Sequence, residues 1–295
     1  MIIFPVYTNF ATQKEGYSKN EIARAEDGNF LTVNVSLAIV SFLEVDEIGQ
    51  TLKVILEIKR TWFDPRLTLL HLQEDSDLNV LWEKNYQKLW YPKLLFENID
   101  PSKAFADRFL SYKILRNVKI APMVRFGGST NGTNVFKGSQ HKMVRTQEYT
   151  YYWRCVYNLK WYPFDIQTCD MKMNLPRHYR DFIRLNPEKI EYKGDRDELT
   201  EYHVDKLIFC SKSNGTHLVF EVTLNRPLIS SVLTIYIPTL LLLVIRFHSC
   251  CTEYKKWLWT YTFLMHSLVA QVFADEFPDL VVQVHLTVLL VLASL

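Results

Sequence analysis

Four stretches of this chain alternate apolar and polar side chains with a period of two, and that rhythm commits the larger part of the molecule to β-sheet. Leu31, Val33, Val35, Leu37 and Ile39 fall on one side of an extended segment, with Thr32, Asn34 and Ser36 on the other. Successive strand side chains point to opposite faces, so this pattern describes a half-buried strand. The same spacing recurs at Leu52, Val54, Leu56 and Ile58, at Tyr149, Tyr151, Trp153 and Cys155, and at Leu218, Phe220, Val222 and Leu224. Turn signals separate the runs, among them Gly127-Gly128, Asn131-Gly132 and Asn214-Gly215. After an N-terminal segment, residues 1–21, with room for a short helix near the N-terminus, residues 22–225 are expected to form an antiparallel, immunoglobulin-like β-sandwich.

At Arg226-Pro227 the composition changes abruptly. Leu228 to Ile245 holds no charged residue over eighteen positions, close to the roughly 20 apolar residues that span a bilayer core. Residues 228–246 therefore predict a first membrane helix ending at Arg246, with a buried helix in a soluble core as the alternative. Pro238 inside the run is tolerated in membrane helices where neighbouring groups satisfy the freed carbonyl. Two more apolar stretches follow, Trp257 to Phe273 and Leu280 to Leu295. In the last, Gln283, Thr287, Leu290 and Ser294 recur at steps of four, three and four and so share one helical face. Polar groups on such a face suit contact with water or with another helix better than contact with lipid.

Formal charge is near neutral, at +2, with basic and acidic residues mixed along the chain, so no nucleic-acid footprint is visible. Three Asn-x-Ser/Thr acceptors, at Asn34, Asn131 and Asn214, all precede residue 226 and favour an extracellular, glycosylated domain. The first residues lack both the basic segment and the apolar run of a secretory signal, so the true start is expected to lie upstream. Five cysteines are present. Cys155 and Cys169 lie thirteen residues apart around Tyr162-Pro163-Phe164-Asp165, and taken alone they also admit a reading as buried free thiols. Cys210, Cys250 and Cys251 have no pairing that sequence reveals.

That cysteine-bounded stretch resembles the signature loop of the pentameric Cys-loop receptors, and further segments resemble the same family in family order. Trp62-Phe-Asp64-Pro-Arg66-Leu67 is similar to its Trp-x-Asp-x-Arg-Leu element, and Trp90-Tyr-Pro92-Lys-Leu-Leu-Phe96 to its Trp-x-Pro-Asp binding segment. Arg226 sits where the family places its pre-membrane arginine. Tyr236-Ile-Pro238-Thr-Leu-Leu is similar to the first membrane helix, and His285 to Leu295 to the pore-lining second helix. In overall character the chain resembles invertebrate anion-channel subunits, particularly divergent insect chloride channels related to proton- or zinc-responsive members.

The resemblance implies a mostly β extracellular sandwich followed by α-helical transmembrane segments, an incomplete four-helix bundle. It divides residues 226–295 into a first helix 228–246, an atypical insert 247–277 and a partial pore helix 280–295. It implies a disulfide between Cys155 and Cys169, whose closure of a fifteen-residue ring is worth roughly 3 kcal/mol. Partners are a small-molecule or ionic agonist, other subunits in a homo- or hetero-pentamer, the lipid bilayer of the plasma membrane and a permeating ion, expected to be chloride. No cofactor or metal is expected. Agonist residues carried over from the family are Phe96, His178, Tyr179 and Phe209, with Lys212 nearby, facing Glu57, Lys59, Met143 and Arg145, the last two in the loop after Gly138. These places hold few aromatics and several bases, which suits a carboxylate better than a quaternary ammonium. Val45, Pro163, Phe164, Asp165 and Arg226 would couple binding to the pore, with an Asp165–Arg226 pair as their centre. Gln283, Thr287, Leu290 and Ser294 would line the pore. His141, His178, His203 and His217 offer a zinc- or proton-sensing reading, although none are at metal-ligand spacing.

Three features depart from the family. Lys93 stands where its aspartate is expected, Phe277-Pro278-Asp279 matches neither known selectivity filter, and the link between the first two helices is too long. The chain stops within the pore helix, so a non-conducting or decoy subunit that binds ligand or co-assembles with full-length siblings is the rival expectation. No catalytic fingerprint supports an enzyme.

Overall fold

The computed structural model describes residues 11–13, 17–26, 28–103, 105–125, 133–194, 199 and 202–227, with 236, 237, 239–241, 243 and 244 beyond them. Its strands in chain order are β1 (Ala11–Gln13), β2 (Leu31–Asp46), β3 (Thr51–Trp62), β4 (Leu67–Leu70), β5 (Leu95–Phe96), β6 (Ala106–Leu115) and β7 (Met123–Arg125). They continue as β8 (Thr133–Lys137), β9 (Lys142–Arg154), β10 (Ile166–Asn174), β11 (Ile183–Tyr192), β12 (His203–Lys212) and β13 (His217–Asn225). A five-stranded sheet orders as β11-β2-β3-β9-β6, a four-stranded sheet as β12-β13-β10-β5, and a smaller sheet as β1-β4-β8-β7. The expected antiparallel sandwich holds except at one edge. There β11 runs parallel to β2, Ile183 opposite Leu31, because the chain crosses from β10 to the other sheet before pairing.

The alternating residues form the core. Val33, Val35, Leu37, Ile39, Leu52, Val54, Leu56 and Ile58 are buried from the five-stranded sheet, as are Leu218, Phe220, Val222 and Leu224 from its partner. Each such side chain removed from water contributes on the order of 1.5–3 kcal/mol. Phe96 of β5 meets the other sheet, its ring 5.2 Å from Tyr149, 4.7 Å from Tyr151 and 5.7 Å from Trp153. In β2 the phase changes. Pairing steps from Ile39 opposite Leu56 to Ser41 opposite Ile55, so Val40 is the extra residue of a bulge, and burial passes from odd positions to Phe42.

The Trp62-to-Leu67 element closes the top of β3. Asp64 is fully buried and accepts two hydrogen bonds from the Arg66 guanidinium, at 2.9 and 2.8 Å. That guanidinium stacks over Tyr17, 4.8 Å from the ring centre. The Tyr17 hydroxyl accepts from the Trp90 amide at 2.7 Å, and burial pushes its pKa up to about 12.

Residues described beyond 227 have helical backbone, and among the described residues no helix is long and apolar enough to cross a membrane. The rest of the expected first helix, the insert 247–277 with Cys250 and Cys251, the pore helix with Gln283, Thr287, Leu290 and Ser294, and the acceptor Asn131 lie outside the described residues.

Candidate functional site

At one end of the sandwich three distant segments meet around Arg226: the β2–β3 turn, the Cys155-to-Cys169 loop, and the residues leaving β13. The loop is held by its own chemistry. Cys155 and Cys169 are disulfide-bonded with Cα atoms 5.2 Å apart, which ties β9 of one sheet to β10 of the other. The Tyr162-Pro163 bond is cis, and Pro163 is buried beneath an exposed Phe164. The Gln167 amide bridges the loop, accepting from the Asn158 N–H at 2.8 Å and donating to the Asn158 carbonyl at 3.0 Å and to Asp165. These bonds fix the direction of the Asp165 carboxylate.

Arg226 Nε donates to Asp165 Oδ1 at 3.1 Å, while its terminal nitrogen donates to Glu47 and to the Tyr202 hydroxyl. All three charged side chains are buried. Burial pulls the Arg226 pKa down, but the hydrogen bonds it donates to both carboxylates outweigh it and hold the guanidinium above its ordinary range. Tyr202 is pushed up by burial first and by its hydrogen bond to Glu47 second. The aromatic faces of Tyr162 and Tyr202 complete the shell, 4.6 and 4.4 Å from the guanidinium carbon. Such a cluster is costly to form without complete pairing, and removing one member leaves an uncompensated buried charge. Val45 packs partly against the core. Ile48, Val156, Trp161, Phe164 and Ile166, from the same turn and loop, are exposed apolar side chains.

Thus the structure brings Asp165 and Arg226 together, as the sequence suggested. Glu47 and Tyr202 were missed. Glu47 adjoins the Glu44-Val45-Asp46 turn, and only a buried arginine beside it distinguishes it from its solvated neighbours.

The residues expected around an agonist separate into several places. Glu57 and Lys59 lie on the outer face of β3, where Glu57 pairs with Lys193. Met143 and Arg145 lie on β9 rather than in the loop after Gly138, opposite Trp62 and Arg60, and both are buried on the inner face. Strand alternation gives the reason: β9 begins at Lys142, so its odd residues face the same way as the even residues of β3. Phe96 sits between the sheets. Phe209 lies on β12 opposite Phe220, in the hairpin that Lys212 and His217 close. Asn214, at φ 55°, occupies the exposed tip of that hairpin, whereas Asn34 is half-buried and accepts from Asn186 at 3.2 Å.

Arg145, His178 and Tyr179 do converge. They line a cavity of about 490 Å³ with Lys19, Asn20, Lys93, Tyr86, Gln87, Leu89, Trp90 and Tyr91. A turn of 3₁₀ helix, Arg177–Tyr179, buries Tyr179 against Trp90 and leaves His178 exposed. The histidines as a set do not converge, and no group of three His, Cys, Asp or Glu among the described residues could hold a metal.

Residues 8–226 match the sequence model of the neurotransmitter-gated ion-channel ligand binding domain. The chain is also similar to the acetylcholine receptor subunit alpha-type unc-38 of Caenorhabditis elegans, at 22% identity over 185 residues, covering 62% of this chain. It spans 31% of that relative's length.

Proposed function

Because this chain belongs to the neurotransmitter-gated ion-channel family through its ligand-binding domain, we propose that it is a subunit of a pentameric channel whose pore opens when agonist binds between neighbouring extracellular domains. Members of this family are membrane-embedded channels with an extracellular ligand-binding domain, and they are not enzymes. The observation that carries the proposal is the buried Glu47–Asp165–Arg226 cluster, which joins the disulfide-bonded loop and the β2–β3 turn to the residue that precedes the apolar run. A shift in the sandwich is passed by Asp165 and Arg226 to that run, with Val45, Pro163 and Phe164 forming the contact surface around them. Agonist shifts the gating equilibrium only as far as its affinity differs between closed and open states.

The agonist site is assigned to Glu57 and Lys59 on the outer face of one subunit and to Phe209 and Lys212 of the hairpin of the next. Lysines at both places favour an agonist that bears a carboxylate. The proposed permeating ion is chloride, a reading that rests on overall resemblance to invertebrate anion channels.

Expression in oocytes with a complete sibling subunit tests the proposal. γ-Aminobutyrate is expected to evoke current, carbachol none, and the reversal potential is expected to follow the chloride gradient. Asp165→Asn is expected to abolish that current when receptors are compared at equal surface expression. Reversal that follows sodium would overturn the chloride assignment, and suppression of sibling current without conduction would favour a non-conducting, co-assembling subunit.

A further inference from the structure

A second feature lies inside a single subunit and owes nothing to the interface between subunits. Arg60 and Arg145 face each other in direct register on β3 and β9, both buried, and neither has an acidic partner among the described residues. Like charges directly opposite on adjacent strands destabilise a sheet, and burying a guanidinium without a counterion adds a desolvation cost. Neutral groups compensate only in part. Arg60 donates to the Pro92 carbonyl at 3.0 Å, to the Tyr149 hydroxyl at 3.2 Å and to Gln147, while its Nε has no partner among the described residues. Gln147 Oε1 also accepts from Arg145 Nε at 3.1 Å and from the Tyr149 hydroxyl at 3.0 Å, so one carbonyl oxygen serves both guanidiniums.

That bond is the sole protein hydrogen bond that the Arg145 side chain donates among the described residues. Its guanidinium lies 3.6 Å from the centre of the Tyr91 ring, and the residue lines the cavity described above. The other described lining residues include Lys19, Lys93 and His178 and no carboxylate. Lys19, Lys93 and His178 are exposed at the mouth, while Leu89, Trp90 and Tyr179 are buried in the wall. Burial, then repulsion from Arg60, lowers the Arg145 pKa below its ordinary value, the direction a bound anion would reverse.

We propose that this cavity is an intrasubunit site for a small organic carboxylate, its anionic head on the free donors of Arg145 and its hydrocarbon body against Leu89, Trp90 and Tyr179. A planar fork matches a carboxylate, and an aromatic wall favours a ligand with an apolar body over an inorganic oxyanion. Lys19 and Lys93 raise the local anion concentration at the mouth.

The test is thermal unfolding of the full chain in detergent, followed by tryptophan fluorescence, against benzoate, butyrate, inorganic phosphate and sodium chloride at matched ionic strength. A ligand that binds only the folded state raises the midpoint with concentration and saturates. Benzoate and butyrate are expected to do so, phosphate weakly, and Arg145→Gln is expected to weaken benzoate at least tenfold. Lys93→Gln, an exposed change that leaves the fold intact, is expected to weaken it a few-fold and serves if the Arg145 variant does not fold. No saturable rise beyond the chloride control, or variants that bind as the parent does, would overturn the site; phosphate as tight as benzoate would overturn the carboxylate assignment. Because binding is read per chain without current, the outcome is separable from that of the channel experiment.

Discussion

His141 is buried, its Nδ1 accepting from the Asn117 amide at 3.0 Å and its Nε2 without a partner among the described residues. Burial, then the charge of Arg116, lowers its pKa from an ordinary 6.5. The folded state therefore binds fewer protons than the unfolded chain. Its contribution is complete above the ordinary value and is lost as pH falls through the lowered one. Stability is expected to decline as pH falls below the ordinary value of 6.5, and His141→Asn, which keeps an acceptor but cannot titrate, is expected to flatten that decline in a series of urea titrations. Gly138 is constrained by space. A Cβ there would stand 2.1 Å from the Asp64 carbonyl oxygen, so Gly138→Ala displaces the backbone beside the Asp64–Arg66 pair. The expected cost is about 1–3 kcal/mol, read from the denaturation midpoint.

At the scale of elements, the alternation of β2 is legible through Ile39, but the bulge at Val40 is not, because cross-strand pairing with β3 decides where the extra residue goes. Deleting Val40 removes the extra residue, so Ser41 follows Ile39 directly and Phe42, 5.6 Å from Tyr192, keeps its place on the inner face. The deletion is therefore expected to cost less than the roughly 1.5–3 kcal/mol of an exposed core side chain, with the far-ultraviolet sheet signal retained. In β3 the rhythm continues in phase from Ile58 to Arg60 and Trp62, so the burial of Arg60 was readable by extending the pattern over a charged residue. Its pairing with Arg145 was not, since strand register is a long-range property. Replacing Cys155 and Cys169 together by serine removes the tie between β9 and β10 and is expected to cost roughly 3 kcal/mol, measured by urea unfolding.

Across the whole molecule, Glu47, Asp165 and Arg226 come from segments separated by more than a hundred residues at the extremes, and their contact makes one end of the sandwich a single electrostatic unit. Effects there should not add. Asp165→Asn and Arg226→Gln are each expected to destabilise more than their combination implies, with a coupling of about 1–3 kcal/mol in a double-mutant cycle. Additive values would show that the loop and the end of β13 act independently.

The sequence by itself determined the sandwich core, the change of character at Arg226-Pro227 and the family resemblance, because period-two burial and short motifs are local properties. The pairing of Asp165 with Arg226 also followed, by way of the motifs. Tertiary structure alone decided that Glu47 and Tyr202 join that pair, that Met143 and Arg145 lie on a strand and turn inward, and that Arg145 meets Lys93 and His178 around one cavity. Each of these depends on strand register and on contacts between segments far apart in the chain, which no local pattern encodes.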